Sequence, residues 1–303
     1  MQPTAIVLLV IAAFAHASWN FLGKSRSPGI AFFLVATAAG TCFLFPAVLY
    51  RTAATASFTA EVWLLLLGTG FCQAIYFSGL AGAYRSGHMS IAYPLARSSP
   101  AIVLLIVAFM LGRRHEVSWV CAAGIVCVVG GCFFLPMKFF SDFRVKNYLN
   151  ATCLFALMAA LGTAGYSLID DHALRILRSF PINEGAHTHT TLVYTFWEGV
   201  FVVGWLGIFN LASGEWRAIK GVVKGHTGYV VVAGIAIYIT YALVLISMKY
   251  ADNVSYVVGF RQLSIPLGAL MGITFLREPR PLPKLLGVAI IFAGVVMVAA
   301  GRN

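Results

Sequence analysis

The chain has 303 residues, 60% of them hydrophobic and only 10% charged, with a mean hydropathy of +0.87. A soluble domain carries about a quarter charged residues, so this composition excludes one and fits segments placed in a lipid bilayer. The net charge of +11 is spread over short connections with no basic stripe or interleaved aromatics, which excludes a nucleic-acid surface and fits interfacial Lys and Arg.

Runs of about 20 apolar residues, broken by Gly, Pro or charge, predict ten transmembrane helices. In chain order they cover 3–22, 29–50, 62–84, 88–111, 117–136, 149–171, 188–211, 228–249, 253–276 and 282–300. The first lacks a basic n-region and reads as a helix rather than a cleaved signal. In it His16, Trp19 and Asn20 share one face by i, i+3, i+4 spacing. They are candidates to line a cavity, although hydrogen bonding between helices is the more usual role of such residues. Gln73 and Tyr76 in the third span are further cavity candidates.

The fourth span, 89-MSIAYPLARSSPAIVLLIVAFML-111, carries Arg97 between Pro94 and Pro100, with Tyr93 one turn before it. A guanidinium in hydrocarbon costs at least a few kcal/mol unless it meets a partner or a wet cavity. Two uses follow: holding an anionic group, for which the planar fork is suited, or bonding carbonyls freed near the prolines. In the sixth span Tyr166 and Asp170 form an i, i+4 pair, with Asp170 expected near an interface and solvated. The longest connection is expected at 172–187. The seventh span holds Glu198, an acidic residue near its middle, with Tyr194 one turn before and Trp197 beside it. Glu198 is a candidate to pair with an arginine, bind an amine or carry a coupling proton. Tyr238 and Tyr241 follow in the eighth span, and Arg261 and Gln262 in the ninth.

Metal, cofactor and catalysis are not expected. The segments 170-DDH-172 and 187-HTH-189 lack the spacing of a metal site, and the six cysteines lie in apolar runs without CxxC spacing. Ser98 and Ser99 have no local histidine or GxSxG elbow, and no Walker motif is present.

The two halves resemble each other. A shift of 164 residues places Arg97 on Arg261, and nearly the same shift puts Gly124 beside Gly287. At the front of each half, 13-AFAHASWNFLGK-24 resembles 160-ALGTAGYSLIDD-171. Five spans per half is an odd number, so the second copy enters the membrane from the opposite side. Secondary transporters use that design and place their site near the midplane, between the repeats.

HASWN in the first helix, YPLARSSP in the fourth, and VVGFRQLSIPLGALMG with FLREP in the ninth, in that order and spacing, resemble the EamA-type branch of the drug/metabolite transporter superfamily. The resemblance covers essentially the whole chain. It implies an all-α integral membrane protein of ten transmembrane helices in two inverted five-helix repeats, 1–147 and 148–303. It further implies a secondary transporter of the cell inner membrane, without enzyme activity, carrying a small polar metabolite by alternating access. An amino-acid-like zwitterion or anion is the expected cargo, and the candidate substrate-binding residues are Arg97, Arg261, Glu198, His16, Trp19, Asn20, Tyr76, Tyr93, Tyr166, Trp197, Tyr241 and Gln262. Expected partners are the small-molecule substrate, the lipid bilayer and a coupling proton, with the chain a monomer or a homodimer. A flippase for phospho-head-group lipids and a membrane-embedded enzyme are the competing readings. The chain departs from the family pattern at 112-GRRHE-116, which stands where an LREP-like ending is kept at 276–279. The resemblance also implies a cytoplasmic N-terminus, which leaves most loop cations outside; the positive-inside rule favours the opposite orientation.

Overall fold

In hydrocarbon every backbone N–H and C=O must be satisfied within the protein, and a chain built from apolar runs does this by forming helices. The computed structural model describes residues 2–23, 29–50, 53–56, 58–85, 89–110, 112–135, 137–142, 151–179, 184–275 and 279–301; the side chains of 19–23, 53–54, 84, 89–99, 113–114, 152, 184–185, 226 and 272 are outside the description. The helices are α1 (Pro3–Gly23), α2 (Ile30–Tyr50), α3 (Ala53–Ala56), α4 (Ala60–Arg85), α5 (Met89–Met110), α6 (Trp119–Phe134), α7 (Ala151–Arg178), α8 (Glu184–Ala212), α9 (Trp216–Ser247), α10 (Val254–Phe260), α11 (Ser264–Phe275) and α12 (Leu282–Ala300). No strand occurs among the described residues.

Seven helical units are long and apolar enough to cross a bilayer: α2, α4, α7, α8, α9, α10 with α11, and α12. The chain is therefore a multi-pass membrane protein. Within α1, α5 and α6 the apolar stretches Pro3–Ser18, Pro100–Met110 and Trp119–Phe134 are shorter. The outward faces suit lipid. On α1, for instance, Val7, Ile11 and Phe14 are exposed in a stripe while Leu9, Ala12 and Ala13 are buried.

Three features differ from the sequence expectation. The connection expected at 172–187 is largely helical, because α7 continues through Asp171 to Arg178 and α8 begins at Glu184. Likewise α9 starts at Trp216, well before the expected 228. Hydropathy finds only the part of a helix that suits hydrocarbon, and these helices extend beyond it with charged residues such as Arg175, Arg178, Lys220 and Lys224. The ninth span, expected as one helix, is broken by a 3₁₀ turn at Arg261–Leu263. Pro266 has no N–H to offer the Gln262 carbonyl four residues back, and its ring crowds that carbonyl, so the chain tightens there.

Helix α4 lies along α7, α6 along α12, α2 against α8 and α9, α5 against α7, α4 against α8, and α1 against α9 and α11. The α6–α12 crossing is close. A Cβ added to Gly124 would come within 2.6 Å of the Gly294 carbonyl oxygen, and one on Gly294 would come equally near that of Gly124. Gly131 and Gly287 repeat the arrangement, at 2.9 and 2.7 Å. As the α6 number rises its α12 partner falls, so the two helices are antiparallel, and small residues let their backbones touch.

Contacts also fix the two ends of the bundle. At one end Gln2 N–H bonds the Tyr250 carbonyl, Asn253 Nδ2 donates to Glu116, and Arg178 caps the last turn of α9 at the Leu245 carbonyl. Gly301 lies there against Ser118 and Cys121. At the opposite end α8 closes on Gly214, whose φ of 71° lies in the left-handed region that glycine adopts without strain. Arg85, finishing α4, meets Glu215 in that turn in a two-pronged ion pair beside Gly29.

That pair gives the fold one acid-sensitive contact. The hydrogen bond from Arg85 holds the Glu215 carboxyl below the usual carboxylate range. A group with a depressed folded-state pKa contributes stability above its unfolded value, near about 4.3 for Glu, and loses it as pH falls through the folded value. The Arg85 side chain is half exposed, so the pair is worth about 0–1 kcal/mol. Melting curves of wild type should therefore fall more steeply than those of Glu215→Gln below about pH 4.3. Superimposable acid limbs would show that the pair contributes nothing.

Candidate functional site

Three apolar clusters lie in the bundle, two of them large. One joins α1, α4, α5, α6, α9, α10 and α12 around residues such as Leu9, Leu66, Ile125 and Leu245; the other joins α2, α4, α7 and α8 around Phe33, Phe77, Ala159 and Val202. Tyr241 packs against both. A polar layer gathers around it, supplied by α4, α7, α8, α9 and the α10–α11 break.

Asp170 is at its centre. It is 0% exposed, and its Oδ1 accepts hydrogen bonds from Thr69 Oγ1 at 2.7 Å and the Tyr194 hydroxyl at 2.8 Å. Its Oδ2 accepts from the Tyr241 hydroxyl. Arg261 supplies positive charge within electrostatic reach. Asp170 is thus buried and fully engaged, not solvated at an interface as expected. Continuation of α7 for two further turns, to Arg178, sets this residue about 12 Å from the helix end.

Glu198 is 1% exposed, and its Oε1 accepts from the Gln73 amide. Its other oxygen, Oε2, has no hydrogen-bond partner among the described residues. The register is regular: Thr69 and Gln73 on α4 are one turn apart, as are Tyr194 and Glu198 on α8, so each helix serves both carboxyl groups.

Beside this layer lies a small cavity of about 40 Å³, open in part to solvent. His16, Gln73, Tyr76, Tyr166, Tyr238, Tyr241 and Arg261 provide its polar lining. Arg261 lies among Tyr166, Tyr241 and Tyr76 within electrostatic reach, and its buried Nη1 has no hydrogen-bond partner among the described residues. Tyr166 stacks edge-on to Tyr241 and to Tyr76, with centroids 5.6 and 6.0 Å apart, which fixes the rings around the guanidinium.

Of the residues singled out from sequence, the structure brings His16, Tyr76, Tyr166, Tyr241 and Arg261 to the cavity wall and places Glu198 just behind it, on Gln73. Gln262 is buried and its amide donates to the Val258 carbonyl of its own helix. Trp197 packs edge-on against Trp63 and its indole N–H donates to Thr55. The side chains of Trp19, Asn20, Tyr93 and Arg97 lie outside the described residues. Thr69 was not singled out; only its spacing from Gln73 signalled a shared face.

No family profile and no curated protein matches the chain. A protein of known crystal structure, 18% identical, superposes over 100% of this chain and 98% of its own with a TM-score of 0.69. At that identity the match shows a shared fold.

Proposed function

We propose that the chain is a secondary transporter of the EamA type, with ten membrane crossings in two inverted five-helix repeats, and that it carries a small anion or zwitterion across the cell inner membrane. The observation that carries this reading is Arg261. A permanent charge sits at a helix break, lining an aromatic-walled cavity, with Nη1 unbonded among the described residues. Transporters build their sites at such breaks, and intramembrane charge marks solute pathways. The planar fork suits a carboxylate or phosphate-type group. We assign no catalytic or nucleic-acid-binding role.

Helix packing supports the repeat. Exchanging the halves turns α1 on α9 into α7 on α4, α2 on α9 into α8 on α4, and α5 on α7 into α10–α11 on α1. The α2–α8 and α6–α12 pairs map onto themselves. A shift of 163 residues carries Gly124 to Gly287 and Gly131 to Gly294, so the two glycine contacts also exchange, between antiparallel helices. Inverted repeats require both relations. Ten crossings place the two termini and Ser179 on one side of the membrane. Reporter fusions at these three points should agree; a Ser179 fusion opposite both termini would refute the span count.

The direct test is a thermal-shift screen of the purified protein with amino acids, organic acids and phospho-compounds, since a ligand bound to the native state stabilises it by mass action. Acids should raise the melting temperature more than their neutral amides. Amides matching their acids throughout would defeat the anion site.

A further inference from the structure

We propose that the first three turns of α9 form a docking surface for anionic lipid headgroups, with Arg217, Lys220 and Lys224 as its phosphate-binding stripe. The proposal needs only a chain that crosses a membrane and stands apart from the transporter reading.

Helix α9 has 32 residues and is therefore about 48 Å long, well over the ~30 Å of a bilayer's hydrocarbon. Its apolar part, which suits a crossing, is Thr227–Tyr250. Residues 216–225, which precede it, stand clear of the bundle: most are exposed, and only Ile219 and Val222 are partly covered.

This segment has two faces. Arg217, Lys220 and Lys224 recur at i, i+3, i+7 and fall within about 60° of one another around the helix. Trp216, Ile219 and Val223 recur with the same spacing on the adjoining face. The Arg217 guanidinium lies 6.0 Å from the Trp216 ring, where the two faces meet. An apolar stripe with Trp beside a stripe of Lys and Arg is the pattern of a helix at a membrane interface.

The three cations are not balanced within the protein. No Asp or Glu occurs between Trp216 and Tyr250, and Glu215, the residue before, is taken by Arg85. Nor do they serve the helix, whose dipole favours cations at its other end. Depth supplies the partner. Lys224, Lys220 and Arg217 lie about 5, 10 and 15 Å before Thr227 along the axis, and their long side chains can lean back toward the hydrocarbon edge. Headgroups fill about 5–8 Å on each side of the hydrocarbon, so the stripe meets phosphate there. An anionic lipid brings that phosphate without an ammonium of its own, which makes it the complementary occupant.

The full chain in detergent, titrated with phosphatidylglycerol or with phosphatidylcholine of the same acyl chains, tests the surface through melting temperature, because lipid bound to the native state stabilises it. Phosphatidylglycerol should stabilise wild type more than phosphatidylcholine does. Lys220→Gln with Lys224→Gln should weaken its apparent affinity about thirtyfold, or roughly fivefold for each cation lost near an anionic surface. Lys138→Gln with Arg280→Gln removes two charges from the same end of the bundle, where α6 finishes and α12 begins, and should leave the affinity nearly unchanged. All four side chains are exposed, so both variants keep the fold. Any shift given by inorganic phosphate should be the same in wild type and in the Lys220→Gln, Lys224→Gln protein. Equal stabilisation by the two lipids, unchanged affinity in that protein, or an equal loss in both double variants would each overturn the proposal. So would a phosphate shift lost from it, which would make the stripe a site for free phosphate.

Discussion

Asp170→Ala should destabilise the protein by about 3–5 kcal/mol, the cost of removing one partner from a buried charge pair. The substitution strips the acceptor from Thr69, Tyr194 and Tyr241 together, on three different helices. It also leaves the Arg261 guanidinium among tyrosines without its nearby carboxylate. A double change, Asp170→Ala with Arg261→Met, should recover part of the loss, because the uncompensated cation goes with its partner. Melting temperature and the yield of monodisperse protein in detergent measure both. A single variant that melts like wild type would mean that Asp170 does not join these helices as an ionised group.

Arg261→Lys should weaken binding of an acidic cargo about ten- to a hundredfold, equivalent to losing one charge-assisted hydrogen bond worth about 1.5–3 kcal/mol. Lysine keeps the positive charge that balances Asp170, so folding should survive. It loses the planar fork that carries Nη1, the unbonded donor at the cavity wall. Affinity and melting temperature have to be measured on the same preparation, with Arg97→Lys, its repeat counterpart, beside it. A variant that binds normally but melts early would make Arg261 a support for the helix break rather than a ligand for cargo.

How much of this was legible in the sequence follows the physics of each signal. Intramembrane charge is expensive, so Arg261 and Glu198 stood out in apolar runs, and the structure places one on the cavity wall and the other behind it. Asp170 was misjudged for a definite reason. The apolar run ends at 171, but α7 continues to Arg178 with Ala173, Leu174 and Leu177 packed in the core, so a residue at the edge of the run is buried inside the bundle. The onset of α9 at Trp216 was hidden in the same way, because charged helical turns outside hydrocarbon resemble a loop to a hydropathy scan. Pro266 was visible, whereas the tightening it imposes at Arg261–Leu263 depends on the neighbouring packing. Helix spacing gave Tyr194 and Glu198 a common face, but which helix meets that face is a tertiary fact. Trp197 shows the limit: an indole in a bundle has many apolar neighbours available, and here Trp63 and Thr55 engage it.

The central claim, that Arg261 holds an anionic solute which the protein carries across the membrane, is tested most directly by counterflow. Proteoliposomes loaded with the most stabilising acid from the thermal-shift screen are diluted into a trace of the same acid, radiolabelled. The account predicts transient accumulation of label in wild-type vesicles, strongly reduced with Arg261→Lys and absent from protein-free vesicles. Label entering wild-type and Arg261→Lys vesicles at equal rates, or no protein-dependent flux of any acid that stabilises the protein, would contradict it.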